Sequence, residues 1–298
     1  MARKVGFIGL GVMGLPMARN LLAASYEVVV HSRSPGPVEE AVQAGAACAD
    51  GAAAVAAQTE LTVLMLPDDN AVEQVVEGPG GVREGVAPGH LLVDMSTVSP
   101  ARAVRNAAVM AEAQGSALDA PVSGGDVGAR NGTLAIMAGG SAEDFERARP
   151  VFEVLGSTIV HVGDAGTGQV VKACNQVVVA LTIQAVAEAL VLGSRCGVAP
   201  ETVVSVLSGG LAGSRVLEVR GPNMLDHDFT PGFALDLHHK DLGIALETAR
   251  SHGVSLPATA LVDQAIASLR TRGHGGEDHS ALLTYVEELA QHRIGEDA

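Results

Sequence analysis

Aromatic residues are nearly absent from this sequence. Its 298 residues include no Trp, 2 Tyr and 5 Phe, so the core has to be built from aliphatic side chains. Cysteine is also scarce: Cys48, Cys174 and Cys196 are far apart and form no CxxC pair. That spacing excludes a disulfide framework and a zinc motif and fits a reducing compartment. No charged segment followed by an apolar signal run precedes the first predicted strand, so we expect a cytoplasmic protein.

Positive charge is the third shortage. The chain has 19 Lys and Arg against 34 Asp and Glu, for a net charge of -15. Binding to nucleic acid needs a basic surface, and an anionic membrane surface would repel the same charge. We therefore expect neither nucleic acid nor a membrane as a partner. An anionic small molecule would have to be held by a local group of donors inside an acidic protein.

Long apolar runs are also missing. The most apolar stretch, residues 177–192, contains Gln184 and Glu188. It is short for a transmembrane helix, which needs about 20 predominantly apolar residues. We predict that this stretch is part of a buried helix.

What the sequence does contain is an alternation of strand and helix patterns. Apolar runs typical of buried strands lie at residues 3–8, 27–31, 61–66, 91–95, 116–119, 134–138 and 158–162. Segments with helical spacing lie between them, at 37–44, 70–77, 100–114 and 142–155. This order predicts βαβ units and a mostly parallel, doubly wound sheet.

After about Asp164 the strand patterns stop. A long helical pattern begins at residues 166–168 and runs to about Gly193, and further helices are predicted near 200–208, 214–226, 235–252, 257–271 and 280–293. We predict an α/β domain over residues 1–164 and an all-α domain over 165–298, joined by the long helix. The glycine-rich residues 161–168 mark the junction.

The end of the first strand and the residues after it, 6–22, read GFIGLGVMGLPMARNLL, in which Gly9, Gly11 and Gly14 form GxGxxG. Strand, glycine turn and helix in this order are typical of a Rossmann-type dinucleotide site. The glycines allow a tight turn, a close approach of the pyrophosphate and close packing of helix and strand. We expect the whole loop, with Leu10, Val12 and Met13, to contact the cofactor. A purely structural turn is the alternative.

The second strand is followed by Ser32, Arg33 and Ser34. NAD sites usually place an acidic residue here, to bind the ribose 2′-hydroxyl. A guanidinium flanked by hydroxyl groups instead suits a 2′-phosphate, because arginine makes charge-assisted, bidentate contacts with phosphate. We therefore predict that NADP(H) is preferred, with NAD(H) still possible. The alternative is a surface arginine without a ligand.

A second candidate site combines a glycine loop with a lysine on the long helix. Ser123, Gly124 and Gly125 offer a hydroxyl and unhindered N–H groups that could hold a carboxylate, although glycines mark simple turns just as often. Lys172 and Asn175 are three positions apart and share one helix face. A lysine on an apolar helix either extends to solvent or lies in a polar cleft, where burial and nearby positive charge could adapt it to general acid–base catalysis.

No metal is expected. Asp236, His238, His239 and Asp241 are close in sequence around Lys240, a further candidate cation. On a helix, however, Asp236 and His239 lie on a different face from His238 and Asp241. Each pair supplies two ligands, which is fewer than a typical zinc site requires.

Several motifs in order resemble those of the β-hydroxyacid dehydrogenase family, the group that contains 3-hydroxyisobutyrate dehydrogenase. Beside the N-terminal glycine motif, the matching segments read LMLPDD, DMST, DAPVSGG, GTGQVVKACNQ and HKDLGIAL. The resemblance covers essentially the whole chain. Carried over by position, it implies that Lys172 is the catalytic acid–base and that Asn175 contacts the substrate. Ser123, Gly124 and Gly125 would hold the substrate carboxylate.

The resemblance also implies the remaining partners and the reaction. Leu66, Pro67, Thr97 and Lys240 would contact the cofactor, and the helical domain would form a homodimer or homotetramer. The implied activity is reduction of a short semialdehyde, with tartronate semialdehyde, reduced to D-glycerate, as the expected substrate. Oxidation of 3-hydroxyisobutyrate is the alternative, and a catalytically inactive nucleotide-binding protein is the alternative of a different class.

Overall fold

The structure is a computed structural model that describes residues 4–296. The chain divides into two compact units, Met1–Lys172 and Ala173–Ala298. The predicted domain boundary at residue 164 lies just before the long helix, whereas this division lies within it. Arg3, which belonged to the predicted first strand, is outside the described residues.

The first unit is built around one sheet. Within residues 4–172 it has nine strands: β1 (Lys4–Ile8), β2 (Glu27–His31), β3 (Ala47–Cys48), β4 (Leu61–Leu64), β5 (Leu91–Asp94), β6 (Ser116–Asp119), β7 (Val122–Ser123), β8 (Leu134–Gly139) and β9 (Gly156–Gly163). The order is β3-β2-β1-β4-β5-β6-β8-β7, and β9 pairs with β8. The six strands from β3 to β6 are parallel. This confirms the predicted Rossmann-type sheet.

Five of the parallel strands end in one row. In the observed register, Ile8 is the partner of both His31 and Leu64, Leu64 is the partner of Asp94, and Asp94 is the partner of Asp119. Strands β2 and β3 are added on one side of β1, and β4 to β6 are added on the other side. The reversal of strand order between β1 and β4 marks the place where open α/β sheets bind ligands, beyond the carboxyl ends of their strands. The loops that follow these five strands therefore start from the same edge.

The core of this unit lies on both faces of the sheet. Alternate strand residues enter two separate clusters: Val28 and Val30 belong to one, and Val29 belongs to the other. When a parallel sheet is covered on both faces, its strands have nearly continuous apolar sequences. This is why β2, β4 and β5 were recognisable in the sequence.

The connections between the strands of the first unit are mostly helical. In residues 4–172 they include α1 (Gly14–Ala23), α2 (Pro35–Gln43), α3 (Ala52–Ala56), α4 (Asp69–Glu77), α5 (Val82–Gly85), α6 (Pro100–Glu112), α7 (Gly125–Asn131) and α8 (Ala142–Leu155). Short polar side chains cap several of them. Asp68, Ser99 and Ser141 each accept a hydrogen bond from an N–H group of the first helical turn, as expected of N-cap residues.

Helices make up most of the second unit, and among its described residues one isolated β-bridge joins Ala234 and Asp278. Helix α9 (Thr167–Arg195) begins in the first unit and continues into the second unit. The helices that follow are α10 (Pro200–Ser208), α11 (Arg215–Asp226), α12 (Leu235–Ser251), α13 (Pro257–Thr271) and α14 (Leu282–Ala290). Two short 3₁₀ helices, His274–Gly276 and His279–Ala281, precede α14. The core is aliphatic, with Ile183, Leu190 and Leu242 among its buried members.

Helix α9 is the one described helix with the length and hydropathy of a membrane span. The core helix of a water-soluble protein passes the same test, so these two properties do not assign the helix to a membrane. Gly168, Gln169, Lys172 and Gln176 are buried along it, and several of them are polar.

Candidate functional site

The loops at the carboxyl edge of the sheet contain the predicted cofactor residues of the first unit. The glycine loop follows β1, and Ser32, Arg33 and Ser34 follow β2. Leu66 and Pro67 follow β4, and Thr97 follows β5. Because these strands end in one row, residues that are far apart in sequence lie along one edge.

The three glycines of the first loop have different surroundings. A Cβ atom on Gly9 would lie 2.2 Å from the Met65 carbonyl oxygen, and one on Gly14 would lie 1.9 Å from the Gly9 carbonyl oxygen. A Cβ on Gly11 would meet nothing within 4 Å. Gly9 and Gly14 are thus required by close packing, whereas Gly11 leaves an open approach to the backbone. This cradle fits a pyrophosphate, since the first N–H groups of α1 have no partner within the helix.

The loop after β2 carries a cation and hydroxyl groups. Arg33 and Ser34 are exposed, and the Ser32 hydroxyl accepts a hydrogen bond from the Leu10 N–H at 3.4 Å. This contact joins the loop to the glycine loop. The arrangement places an exposed guanidinium where NAD sites usually have an acidic residue.

The loops after β4 and β5 are joined by Ser96. Its hydroxyl accepts a hydrogen bond from the Leu66 N–H at 2.9 Å, and its own N–H donates to Asp94 Oδ1 at 3.0 Å. Ser96 and Asp94 are both buried. Neither residue was singled out from the sequence, although both belong to the DMST motif.

Two buried carboxyl groups stand side by side at this edge. Burial raises the pKa of Asp94 to about 7, although hydrogen bonds from Ser96 oppose the shift. Burial likewise raises the pKa of Asp119 to about 6, against hydrogen bonds from the N–H groups of Gly166 and Gln169. Both carboxyl groups therefore cost folding free energy when they ionise.

The raised pKa of Asp94 predicts that stability falls with rising pH. Between its ordinary pKa of 3.8 and its folded value of about 7, the folded state binds the proton more tightly than the unfolded state, so the free energy of unfolding decreases. Below that window both states are protonated, and above it both are ionised. We expect ionisation of Asp94 to lower the free energy of unfolding by on the order of 2–4 kcal/mol across this pH range. This decrease should be absent in Asp94→Asn.

Urea unfolding of the wild type and Asp94→Asn at a series of pH values measures this difference. The substitution also changes a hydrogen bond from Asn106, and the strength of that bond in the wild type varies with pH only through the ionisation of Asp94 itself. Asp50→Asn, at an exposed carboxylate, is the matched control and should track the wild type. A constant difference between the wild type and Asp94→Asn across the whole range would contradict the assignment.

Asp119 also fixes the start of the helix that carries Lys172. Its Oδ1 accepts from the Gly166 N–H at 2.7 Å and its Oδ2 from the Gln169 N–H at 2.9 Å. A Cβ on Gly168 would lie 2.6 Å from the Asp119 carbonyl oxygen, so the helix packs directly against the end of β6. Lys172 is buried (5% exposed) and follows Gly168 by one helical turn, on the same face.

The predicted carboxylate loop follows the same strand. Ser123 lies in β7 and pairs with Ala135 of β8. Gly124 has φ +137° and Gly125 has φ +62°, so both occupy backbone conformations that disfavour other residues. Gly125 begins α7, which the sequence analysis did not predict. Ser123 is only four residues after Asp119, whose carboxylate binds the N–H groups at the start of α9. The predicted carboxylate loop is therefore close in sequence to the residue that holds α9.

Asn175 and Lys240 belong to the second unit, where the side chains of Gln176 and Asp241 connect them. Asn175 Nδ2 donates to Gln176 Oε1 at 2.8 Å, and Gln176 Nε2 donates to Asp241 Oδ2 at 2.6 Å. Lys240 Nζ lies 3.1 Å from the other oxygen of Asp241. Gln176 and Asp241 are buried. From the sequence, Asp241 was considered only as a candidate metal ligand, and Gln176 had no predicted role.

The acidic and histidine residues around Lys240 have different partners, as expected from the helix faces on which they lie. Asp236 pairs with Arg270, and His239 pairs with Asp263. His238 instead lies 3.1 Å, Nδ1 to Nδ1, from His279. Among residues 4–296, no three His, Cys, Asp or Glu side chains are grouped so as to hold a metal ion.

Comparison with known protein families agrees with this architecture. Residues 4–163 match the NAD-binding domain of 6-phosphogluconate dehydrogenase. Residues 166–286 match the domain described as the NAD-binding domain of NADP-dependent 3-hydroxyisobutyrate dehydrogenase. The two matches meet at the start of α9.

Individual relatives match over nearly their full length. The 2-hydroxy-3-oxopropionate reductase of Escherichia coli is 44% identical over 98% of this chain and 99% of its own. The 2-(hydroxymethyl)glutarate dehydrogenase of Eubacterium barkeri is 42% identical over 96% of this chain and 95% of its own. The structure of Mycobacterium tuberculosis 3-hydroxyisobutyrate dehydrogenase with L-serine has a TM-score of 0.87 at 32% identity, covering 95% of this chain and 99% of that one. The chain therefore belongs to the β-hydroxyacid dehydrogenase family of oxidoreductases, which use a nicotinamide dinucleotide.

Proposed function

We propose that this protein is an NADP(H)-dependent reductase that converts tartronate semialdehyde (2-hydroxy-3-oxopropionate) to D-glycerate. The observation that carries the proposal is the buried Lys172 on a helix that Asp119 holds against the carboxyl edge of the dinucleotide sheet. The 44% identity to 2-hydroxy-3-oxopropionate reductase supports the choice of substrate.

In this proposal, Lys172 supplies the proton of the reaction. A bound reduced nicotinamide supplies the hydride, which is the chemistry of the cofactor itself. Lys172 holds a proton on Nζ and delivers it to the aldehyde oxygen as negative charge develops there. A general acid positioned in this way contributes about 10²–10⁴-fold to the rate.

The substrate carboxylate is assigned to Ser123, Gly124 and Gly125, and Asn175 orients the substrate. The Ser123 hydroxyl and the adjacent N–H groups can donate to an anion in a protein whose net charge is -15. Backbone donors are already ordered, so they lose little conformational entropy on binding. Support for these roles comes from the positions of the residues in the family motifs and from the short connection, residues 120–122, between Asp119 and Ser123.

We assign the coenzyme preference to Arg33. Arg33→Ala is expected to weaken NADPH binding by about 10- to 150-fold, since one charge-assisted hydrogen bond contributes about 1.5–3 kcal/mol. NADH binding should change little, because NADH lacks the 2′-phosphate. Fluorescence titration with both coenzymes measures the two dissociation constants.

Arg83→Ala is the matched control for this prediction. Arg83 is also exposed, and its removal changes the net charge by the same amount. Both affinities should stay at their wild-type values in this variant. A wild-type protein that binds NADH more tightly than NADPH would contradict the assignment before any substitution is made.

The substrate is tested by measuring NADPH oxidation with tartronate, methylmalonate and succinic semialdehydes and with glyoxylate. We expect the highest kcat/KM with tartronate semialdehyde. Preference for methylmalonate semialdehyde would favour 3-hydroxyisobutyrate dehydrogenase, the activity named for the Mycobacterium tuberculosis structure. Binding of NADPH without turnover of any of the four would favour a nucleotide-binding protein that lacks catalysis.

We further propose that the protein is cytoplasmic and forms a homodimer or homotetramer through its helical unit. Val178, Leu192 and Leu289 are large apolar side chains that are mostly exposed in that unit. Exposed apolar groups of this kind are typical of association surfaces when they are contiguous. Light scattering during size-exclusion chromatography distinguishes the monomer from the dimer and the tetramer.

A further inference from the structure

Gln169 is a buried amide (1% exposed) in the first turn of α9, three residues before Lys172. The Val98 N–H donates to its Oε1 at 3.1 Å, and its Nε2 donates to the Ser96 carbonyl oxygen at 2.9 Å. Its own N–H donates to Asp119 at 2.9 Å. Three hydrogen bonds at one residue therefore join three segments that are far apart in sequence.

The two bonds of the amide lie on either side of Thr97. They fix the backbone before and after this residue, which the family motifs place at the cofactor. The same loop is held from its other side, because the Ser96 hydroxyl accepts from the Leu66 N–H. Thr97 is thus presented by a loop whose backbone is fixed from two directions.

We propose that Gln169 is a positioning residue, which sets the Thr97 loop relative to the turn of α9 that carries Lys172. The assignment of the reaction to Lys172 rests on the proposed function, whereas the link to the loop rests on these contacts alone. The two groups that Gln169 joins are the expected cofactor contact and the expected proton donor. Its loss should therefore affect both coenzyme binding and turnover.

The chemistry of the side chain makes the role testable. A glutamine amide offers an acceptor oxygen and a donor NH₂ group at once, and both are used here. Leucine has a similar shape and offers neither. Glutamic acid offers both when it is protonated, but only acceptors when it is ionised, so it would then repel the Ser96 carbonyl oxygen.

The first test is Gln169→Leu. We expect NADPH binding, measured by fluorescence titration, to weaken by about tenfold, and kcat to fall by at least as much. Gln184→Leu makes the same change on the same helix, where the amide bonds to Glu188, and should leave both values unchanged. A merely structural role would lower the unfolding midpoint and leave the dissociation constant of the folded protein at its wild-type value.

The second test, Gln169→Glu, remains informative if the leucine variant does not fold. Burial favours the protonated carboxyl group, so this variant should bind NADPH nearly as well as the wild type at about pH 5 and at least tenfold more weakly at about pH 8. Asp119, bonded to the same residue, and Asp94, bonded to Ser96, also titrate. The NADPH dissociation constant of the variant is therefore divided by that of the wild type at each pH.

Hydrogen exchange gives a third readout that does not depend on activity. The Val98 amide should exchange slowly in the wild type and faster in Gln169→Leu. If the wild type turned over no semialdehyde, the proposed function would be wrong. NADPH affinity and exchange at Val98 would still test the positioning role of Gln169. Wild-type NADPH affinity in both variants would overturn the proposal, whether or not exchange at Val98 changes, and unchanged exchange at Val98 would overturn the link between Gln169 and the loop.

Discussion

Replacing Lys172 with Ala is expected to lower kcat for semialdehyde reduction by about 10²–10⁴-fold, the usual contribution of a general acid. NADPH binding should remain close to wild type, because the glycine loop and Arg33 lie on other loops of the sheet edge. Steady-state kinetics and coenzyme titration on the same preparation measure the two effects. The selective loss of turnover identifies a group that acts in the chemical step.

Lys172→Arg separates proton transfer from charge. Arginine keeps the positive charge but does not release its proton in proteins, so this variant should be nearly as inactive as Lys172→Ala. Near-normal activity in Lys172→Arg would mean that the site requires only a cation. Near-normal activity in Lys172→Ala would remove Lys172 from the mechanism altogether.

Gly11→Val is expected to weaken dinucleotide binding by on the order of 100-fold, because overpacking of this size costs about 3 kcal/mol. A Cβ at Gly11 meets nothing within 4 Å in the protein, so the midpoint of thermal unfolding should not change. The added side chain occupies the space through which the pyrophosphate reaches the backbone. Coenzyme titration and a melting curve measure the two properties separately.

Two other glycines provide contrasts to this prediction. Gly51 also has open space at its Cβ position but lies beyond the short edge strand β3, so Gly51→Val should bind dinucleotide normally. In Gly14→Ala, the Cβ would lie 1.9 Å from the Gly9 carbonyl oxygen, so binding and the unfolding midpoint should fall together. Wild-type affinity in Gly11→Val would show that the loop does not hold the pyrophosphate.

The sequence could predict the parts of this fold that depend on local patterns. Apolar runs, the turn at Gly9 and the helix after it are set by neighbouring residues, so the Rossmann-type sheet and the helical region were predictable. Helix α7 was not, because Gly124, Gly125 and Gly128 are typical of turns. Close contacts with Leu134 surround Gly124 and Gly128, and such tertiary packing overrides local preference.

The connections within the candidate site could not be predicted, because they join distant residues. Asp119 and Gly166 are 47 residues apart, and Gln169 and Val98 are 71 residues apart. Only the strand register and the close packing of Gly168 bring these groups together. Gln176 was similarly hidden, because its partner Asp241 lies 65 residues away on another helix. Motifs could identify candidate reacting groups, but not the residues that hold them.

The proposed function requires Lys172 to give a proton to the aldehyde oxygen of tartronate semialdehyde. The most direct measurement is NADPH oxidation on addition of tartronate semialdehyde to the wild type and to Lys172→Ala, with each protein first shown to bind NADPH. We expect rapid oxidation with formation of D-glycerate in the wild type and a rate at least about 10²-fold lower in the variant. Equal rates in the two proteins, or NADPH binding without oxidation in the wild type, would contradict it.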